Sequence, residues 1–295
     1  MKSTTTLVAL ALLAWVSRAD AAGLSNPFFA MDTMANRGKE SIEEKLDDVK
    51  SMGYAGISWT GTNVPQIESV LRACESRGLK MYTIYIGCPL EKDKLSVPEN
   101  IDAVFQALAS HDTVVWVYIQ AKGYKPSDPA GDAIAVPALR TLAARAAGHK
   151  VKLALYPHAG FWAQSFPDCL RLAEAVDRPN FGVSFNLCHV LKTGDEKNVL
   201  ALLERAKPWL FIVSLNGADA DVTPKMGWDR LIQPVGRGTY DLVPLLGQLK
   251  KQGYSGPIGF QGYGIKGDRK EILRETMGGW RKVSSPAAAS AGGKP

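Results

Sequence analysis

Phe181-Gly182-Val183-Ser184-Phe185-Asn186-Leu187-Cys188-His189 is the stretch that decides the fold. It follows the breaker Pro179-Asn180, is short and apolar, and is rich in β-branched and aromatic residues, so it reads as a buried strand. It ends on two polar side chains, Asn186 and His189, with no room for a hairpin partner before the next helical pattern. Three other runs end similarly: Leu153-Ala154-Leu155-Tyr156-Pro157-His158, Ile212-Val213-Ser214-Leu215-Asn216 and Ile258-Gly259-Phe260-Gln261. A helical pattern separates each from the next. Polar groups at the carboxyl ends of successive parallel strands are where an α/β barrel carries its active site. Function is expected there.

Working outward, further strands are expected at residues 27–32, 54–59, 80–86 and 113–119, with the quoted runs supplying the other four. The first helix opens on a Ser-x-x-Glu capping box, Ser41 and Glu44, shows the stripe Ile42, Leu46, Val49 and stops at Gly53. The second opens at Asn63-Val64-Pro65 and stops at Gly78; later ones are marked by Ile101, Val104 and Leu108, by residues 133–147, by Leu170, Ala173 and Val176, and by Val199 and Leu203. Residues 240–252 and the apolar set Ile272, Leu273 and Trp280 complete the series. Strict β-then-α alternation with short connections means a parallel sheet. Eight such units in about 255 residues match a single-domain (β/α)8 TIM barrel over residues 22–283. An open doubly wound sheet usually has fewer strands and a Gly-rich phosphate turn, which is missing. The longer loop at 87–99 reads as a lid or binding loop or as a plain surface excursion, and another loop, 121–131, carries Lys122, Lys125 and two prolines.

The ends of the chain read differently. Lys2, an apolar run from Leu7 to Val16 and the small-residue site Ala19-Asp20-Ala21 form a signal-peptide pattern over residues 1–21, implying export to the periplasm or exterior. The run is too short to span a bilayer as a mature helix, so no membrane association is expected after its removal. Residues 284–295 are Ser, Ala, Gly, Lys and Pro without apolar periodicity, a disordered tail. The 295 residues are 46% hydrophobic and 22% charged, ordinary globular composition with a net charge of +6. Basic residues are scattered and do not interleave with aromatics, so no nucleic-acid partner is expected. Cys74, Cys88, Cys169 and Cys188 lack C-x-x-C spacing and are expected as buried free thiols.

The candidate chemistry lies at the strand ends. His158 and His189 are expected near one barrel mouth as a proton-transfer pair, because imidazole titrates near neutral pH. Tyr156, Trp162 and Phe161 supply aromatic faces for a sugar ring. Asn186, Asn216 and Gln261 form a ring of amides able to donate to and accept from hydroxyls and carbonyls. Lys122, on the loop at 121–131, joins the expected substrate-binding set.

With those residues on the page, the chain resembles the sugar phosphate isomerase/epimerase family, xylose-isomerase-like TIM barrels that also include endonuclease IV. The resemblance covers about residues 27–283. It is carried by Tyr156-Pro157-His158, Phe185-Asn186-Leu187-Cys188-His189, Asn216-Gly217-Ala218-Asp219, Gln233-Pro234-Val235-Gly236-Arg237-Gly238 and, most specifically, Gly253-Tyr254-Ser255-Gly256-Pro257-Ile258. Metal-dependent epimerases of that family hold a divalent ion with Glu, Asp, His and Glu from strands five to eight. The matching positions here are Tyr156, Asn186, Asn216 and Gln261, a phenol and three amides. Mg²⁺ and Mn²⁺ favour carboxylates and other hard oxygens, so no tightly bound metal cofactor is expected at that site.

The departure leaves alternatives. One is a metal-free enzyme on a carbohydrate, in which His158 or His189 removes a proton next to a carbonyl and the amides bind the enolate, as in epimerisation, isomerisation or β-elimination. Another is a non-catalytic carbohydrate-binding or scaffold relative. A third is a metal held by the histidines with acids such as Asp32, Glu91 or Asp219. Either sugar reading implies a small-molecule carbohydrate partner, and the oligomeric state is left open.

Overall fold

The computed structural model describes residues 23–223 and 225–285. The expected signal peptide lies outside them, as does all of the expected tail except Ser284 and Ser285. In chain order the first half comprises β1 (Phe28–Ala30), α1 (Asp32–Ala35), α2 (Ile42–Ser51), β2 (Gly56–Thr60), α3 (Val64–Glu75), β3 (Lys80–Gly87), α4 (Ile101–Leu108), β4 (Val114–Tyr118), α5 (Asp132–Gly148) and β5 (Lys152–Leu155). Then follow α6 (Phe166–Val176), β6 (Phe181–Asn186), α7 (Leu187–Lys192), α8 (Val199–Ala206), β7 (Leu210–Leu215), α9 (Trp228–Leu231), α10 (Val243–Lys251), β8 (Ile258–Phe260) and α11 (Arg269–Val283). The eight strands close in sequence order, β8 pairing parallel with β1 through Phe28↔Ile258, Phe29↔Gly259 and Ala30↔Phe260. The expected eight-stranded parallel barrel is the observed fold.

The local signals act as their chemistry dictates. Ser41 Oγ accepts from Glu44 N–H while Glu44 Oε2 accepts from Ser41 N–H at 2.9 Å, so α2 starts there. Asn63 caps α3 by accepting from Gln66 N–H at 3.0 Å. Gly53 and Gly78 take φ of 92° and 66° after these helices, a region that side chains with a Cβ rarely adopt. Three short helices, α1, α7 and α9, were not expected. Each has four to six residues and sits just past a strand or in a loop, too short to show a 3.6-residue period.

Two apolar layers result. One lies between strands and helices, where Ile57, Val115, Leu153, Val183 and Val213 meet the helical stripes. The other fills the bore with Phe29, Met31, Val114, Trp116, Ala154, Tyr156 and Ile212. Its rings form a column: Phe29 stacks on Tyr82 at 5.1 Å, Trp116 lies 4.7 Å from Tyr85, and Tyr156 lies 5.1 Å from Trp116. The column blocks the bore, so a ligand can enter only at an end.

The loop at 87–99 is tied down by its main chain. Leu90 N–H donates to Gln120 O at 2.7 Å, and Lys122 N–H to Leu90 O at 2.9 Å. At the other end of the chain, Ser284 closes α11, and its carbonyl accepts from Leu24 N–H at 3.1 Å beside the β1–β8 seam. All four cysteines are buried and free. No helix among the described residues is long and apolar enough to cross a membrane.

Barrel closure depends on small residues opposite the large rings. A Cβ on Gly259 would stand 2.5 Å from the Phe29 ring. Gly259→Ala is therefore expected to destabilise the fold by about 1–3 kcal/mol, the usual range for overpacking, read as a lowered urea midpoint.

Candidate functional site

A cavity of about 500 Å³ opens at the carboxyl ends of the strands. Its floor is Tyr85 and Tyr156, continuous with the ring column; β2, β3 and β4 contribute residues of the strands themselves, and the other five strands contribute through the segments that follow them. Asp32 and Thr33 follow β1, Tyr118 and Gln120 close β4, and Gln261 and Tyr263 follow β8.

His158 and His189 meet on one wall, their ring centroids 4.3 Å apart. The β5 chain continues past its last strand residue, with Tyr156 N–H donating to Val117 O, and then folds tightly so that His158 N–H reaches Ala163 O at 3.2 Å. That turn stacks Phe161 on the His158 ring at 3.8 Å. His189 sits in the first turn of α7, immediately after β6, and is 5% exposed. The Trp228 ring meets its edge at 5.4 Å.

One residue sets both protonation patterns. The Ala159 carbonyl can only accept, so His158 Nδ1, 3.1 Å away, carries a proton and Nε2 holds a lone pair. The Ala159 N–H can only donate, so His189 Nδ1, 3.2 Å away, is bare and the proton sits on Nε2. Burial holds the His158 pKa below the ordinary imidazole value, partly offset by its bond to Ala159 O. Burial, with His158 beside it, pushes His189 well below that value. Both rings are neutral at pH 7, one an acceptor and the other a donor.

The remaining sequence candidates separate. Gln261, 4% exposed, lines the cavity. Its Oε1 accepts from Tyr263 N–H at 3.1 Å and from Thr33 Oγ1–H at 2.8 Å, which turns Nε2 toward the Tyr156 hydroxyl at 3.2 Å. Asn186 lies beneath the floor, donating Nδ2–H to that same hydroxyl and accepting from Cys188 Sγ at 3.1 Å. Asn216 is fully buried and outside the cavity lining, its Nδ2 donating to Gly217 O at 2.8 Å and Leu231 O at 2.6 Å. Trp162 faces a smaller neighbouring pocket and donates Nε1–H to Asp128 O at 2.8 Å. Lys122 is exposed and does not line the cavity. The expected ring of three amides is thus one amide at the cavity, one below it and one holding a loop.

Sequence reasoning left Asp32 among unplaced acids, yet it lines the cavity. Ser58 Oγ–H donates to its Oδ1 at 2.8 Å, and burial raises its pKa above the ordinary carboxylate value. Its place two residues past β1, like His158 just past β5, was the available signal. Glu91 pairs with Lys94, and Asp219 with Arg230, away from the cavity.

The Tyr156, Asn186, Asn216 and Gln261 side chains do not make a donor set for a divalent ion. The Gln261 orientation fixed by Tyr263 N–H aims N–H groups, not oxygen, at the Tyr156 hydroxyl. The Asn186 oxygen receives a thiol, and only Asn216 Oδ1 lacks a partner among the described residues. One neutral amide oxygen and a phenol that burial keeps protonated offer no negative charge. No group of three or more His, Cys, Asp or Glu residues able to hold a metal occurs among the described residues.

Fold and site together define an α/β barrel with an aromatic-lined cavity, carrying two histidines and an aspartate, at its carboxyl end. The chain belongs to the xylose isomerase-like TIM barrel family, whose model matches residues 46–283. Among solved structures it is similar to a 3-keto-D-glucoside 4-epimerase from E. coli, at 20% identity and a TM-score of 0.69, over 87% of this chain and 99% of that one. It is also similar to an L-ribulose 3-epimerase (15% identity, TM-score 0.69, 92% and 100% of the two chains). A D-psicose 3-epimerase from Clostridium cellulolyticum H10 matches at 15% identity and a TM-score of 0.67, over 88% and 99%. At these identities the likeness concerns the fold. No curated protein matches the sequence.

Tyr156→Phe would strip two buried amide N–H groups, on Asn186 and Gln261, of their shared acceptor. The expected cost is about 1–3 kcal/mol for each donor left unsatisfied, measured by urea unfolding.

Proposed function

We propose that the cavity binds a neutral keto-sugar and moves a proton on the carbon next to its carbonyl, as in sugar epimerisation or isomerisation, without a tightly held metal. The observation that carries this reading is the histidine pair held neutral in opposite tautomers on one wall of an aromatic cavity. His158 Nε2 is the base. His189 Nε2–H is a donor for the carbonyl oxygen as enolate charge develops. Tyr118, Phe161, Trp228 and Tyr263 offer rings to the apolar faces of a sugar. No Lys or Arg occurs among the described residues that line the cavity, which favours an uncharged sugar over a sugar phosphate. Hydrogen-bond donors stabilise an enolate less than a dication does, so the substrate needs an acidic C–H, as a keto-glycoside has. The E. coli neighbour, by its name, acts on a 3-keto-D-glucoside. The pattern in residues 1–21 supports a site of action outside the cytoplasm.

A second reading, a carbohydrate-binding relative without turnover, draws on Asn186 and Asn216 being committed to internal bonds. Methyl 3-keto-β-D-glucopyranoside separates the two. His158→Ala is expected to lower kcat/KM by about 10²–10⁴-fold, the usual worth of a general base, with binding retained in calorimetry. Because the neutral ring is the base and its pKa is lowered, the wild-type acid limb should lie below pH 6.5. Binding of keto-sugars without any turnover would establish the binding protein instead.

Titration of purified mature protein with Mn²⁺, Zn²⁺ and Mg²⁺ is expected to show no stoichiometric uptake at the Tyr156 floor. Tight one-to-one binding abolished by Gln261→Ala would overturn the metal-free site.

A further inference from the structure

Asp32 is the buried acid that the mechanism above does not use, and its position in the barrel gives it a specific role. In a closed sheet running β1 to β8 in order, β1 and β5 are four strands apart in both directions and so face each other across the bore. Asp32 stands two residues past the end of β1, and His158 three residues past the end of β5. Both line the same cavity, with the floor of Tyr85 and Tyr156 between their walls. The carboxyl is anchored by Ser58: Ser58 Oγ–H donates to Oδ1 at 2.8 Å and Asp32 N–H donates to Ser58 Oγ at 2.7 Å, and the backbone N–H groups of Asp32 and Thr33 also favour its ionised form.

We propose that Asp32 is the second proton-transfer residue of the site, exchanging a proton with the sugar carbon on the face opposite His158, so that the reaction inverts configuration at that carbon. This rests on the proton-transfer reading and deepens it, from chemistry next to a carbonyl in general to epimerisation in particular. A one-base isomerisation or elimination needs acid and base on one side of the ring, whereas inversion needs them on opposite sides. The surroundings suit the task. Burial keeps the carboxyl protonated to higher pH than an exposed aspartate, and the groups facing it, Ser58, Tyr85 and Tyr156, carry no charge in their ordinary forms.

The step balances without a co-reactant. His158 Nε2 takes the proton from the C–H next to the keto group, and the C–H electron pair moves into the enolate. Asp32 then delivers its proton to the opposite face, the electron pair returns to carbon as a new C–H bond, and the carbonyl reforms. The protein is left with a protonated His158 and an ionised Asp32, which exchange one proton through water or run the reverse reaction on the epimer. Nothing is oxidised or reduced.

The test uses the mature protein in D₂O with methyl 3-keto-β-D-glucopyranoside and, separately, its C4 epimer, followed by proton NMR against a protein-free control. Wild type is expected to invert both substrates, with deuterium entering at the inverted carbon. Asp32→Asn keeps an acceptor for Ser58 and is expected to exchange the C–H of one epimer for deuterium at near wild-type rate while inverting neither, a loss of inversion of at least about 100-fold. That surviving exchange also shows the variant to be folded with its His158 half intact, and Asp32→Ala should give the same split. Inversion by Asp32→Asn at the wild-type rate would overturn the role of Asp32 and leave the proton-transfer reading standing. Loss of exchange and inversion together in both variants would overturn it too, because Asp32 would then serve the first step or the shape of the site. Absence of both exchange and inversion in wild type would remove the proton-transfer reading itself.

Discussion

One buried hydroxyl, that of Tyr156, ties together the strand ends on which the cavity stands. It comes from just past β5, receives amide donors from the end of β6 and from just past β8, and lies against the Tyr85 ring of β3 at 5.2 Å. Neutral hydrogen bonds and ring contacts hold these strand ends together, in a buried setting where water competes poorly. Such a bond contributes only about 0.5–1.5 kcal/mol net, but leaving its partners unpaired is far more costly, so the floor is rigid or it fails. The cavity above inherits that rigidity.

The walls repeat the same economy of charge. A single residue, Ala159, uses its carbonyl on one histidine and its N–H on another, and so makes a complementary pair from two identical side chains. Burial then lowers the tendency of both rings to take up a proton and raises the Asp32 pKa above the ordinary carboxylate value. The aromatic rings around these groups supply contact area without charge.

The barrel was legible because it is written in repeated patterns: eight apolar runs, caps such as Ser41 and Asn63, and stops such as Gly53 are local and recur. The histidine pair was legible because strand ends at a parallel barrel converge. The division among the amides was not. Asn186, Asn216 and Gln261 occupy comparable places at their strand ends, and what separates them is nonlocal. Leu231 O, fifteen residues downstream of Asn216, captures one amide, whereas Tyr263 N–H turns another toward Tyr156. Trp162 was expected beside Phe161 as a cavity ring, but past the turn after His158 only Phe161 reaches the main cavity, while both rings line the smaller pocket beside it. Asp32 was visible yet unweighted, since a lone acid after a short strand has no pattern around it until the barrel closes and sets it opposite His158.

The contact between Leu24 and Ser284 has a topological consequence. Because the first and last described segments meet beside the seam where β8 joins β1, the barrel is a ring whose break point is nearly arbitrary. A short linker across that seam, with new termini opened at the exposed turn near Gly61, would give a circular permutant in which every strand keeps both neighbours and the cavity keeps all its walls. Chain order here is a matter of synthesis, and spatial order alone makes the site.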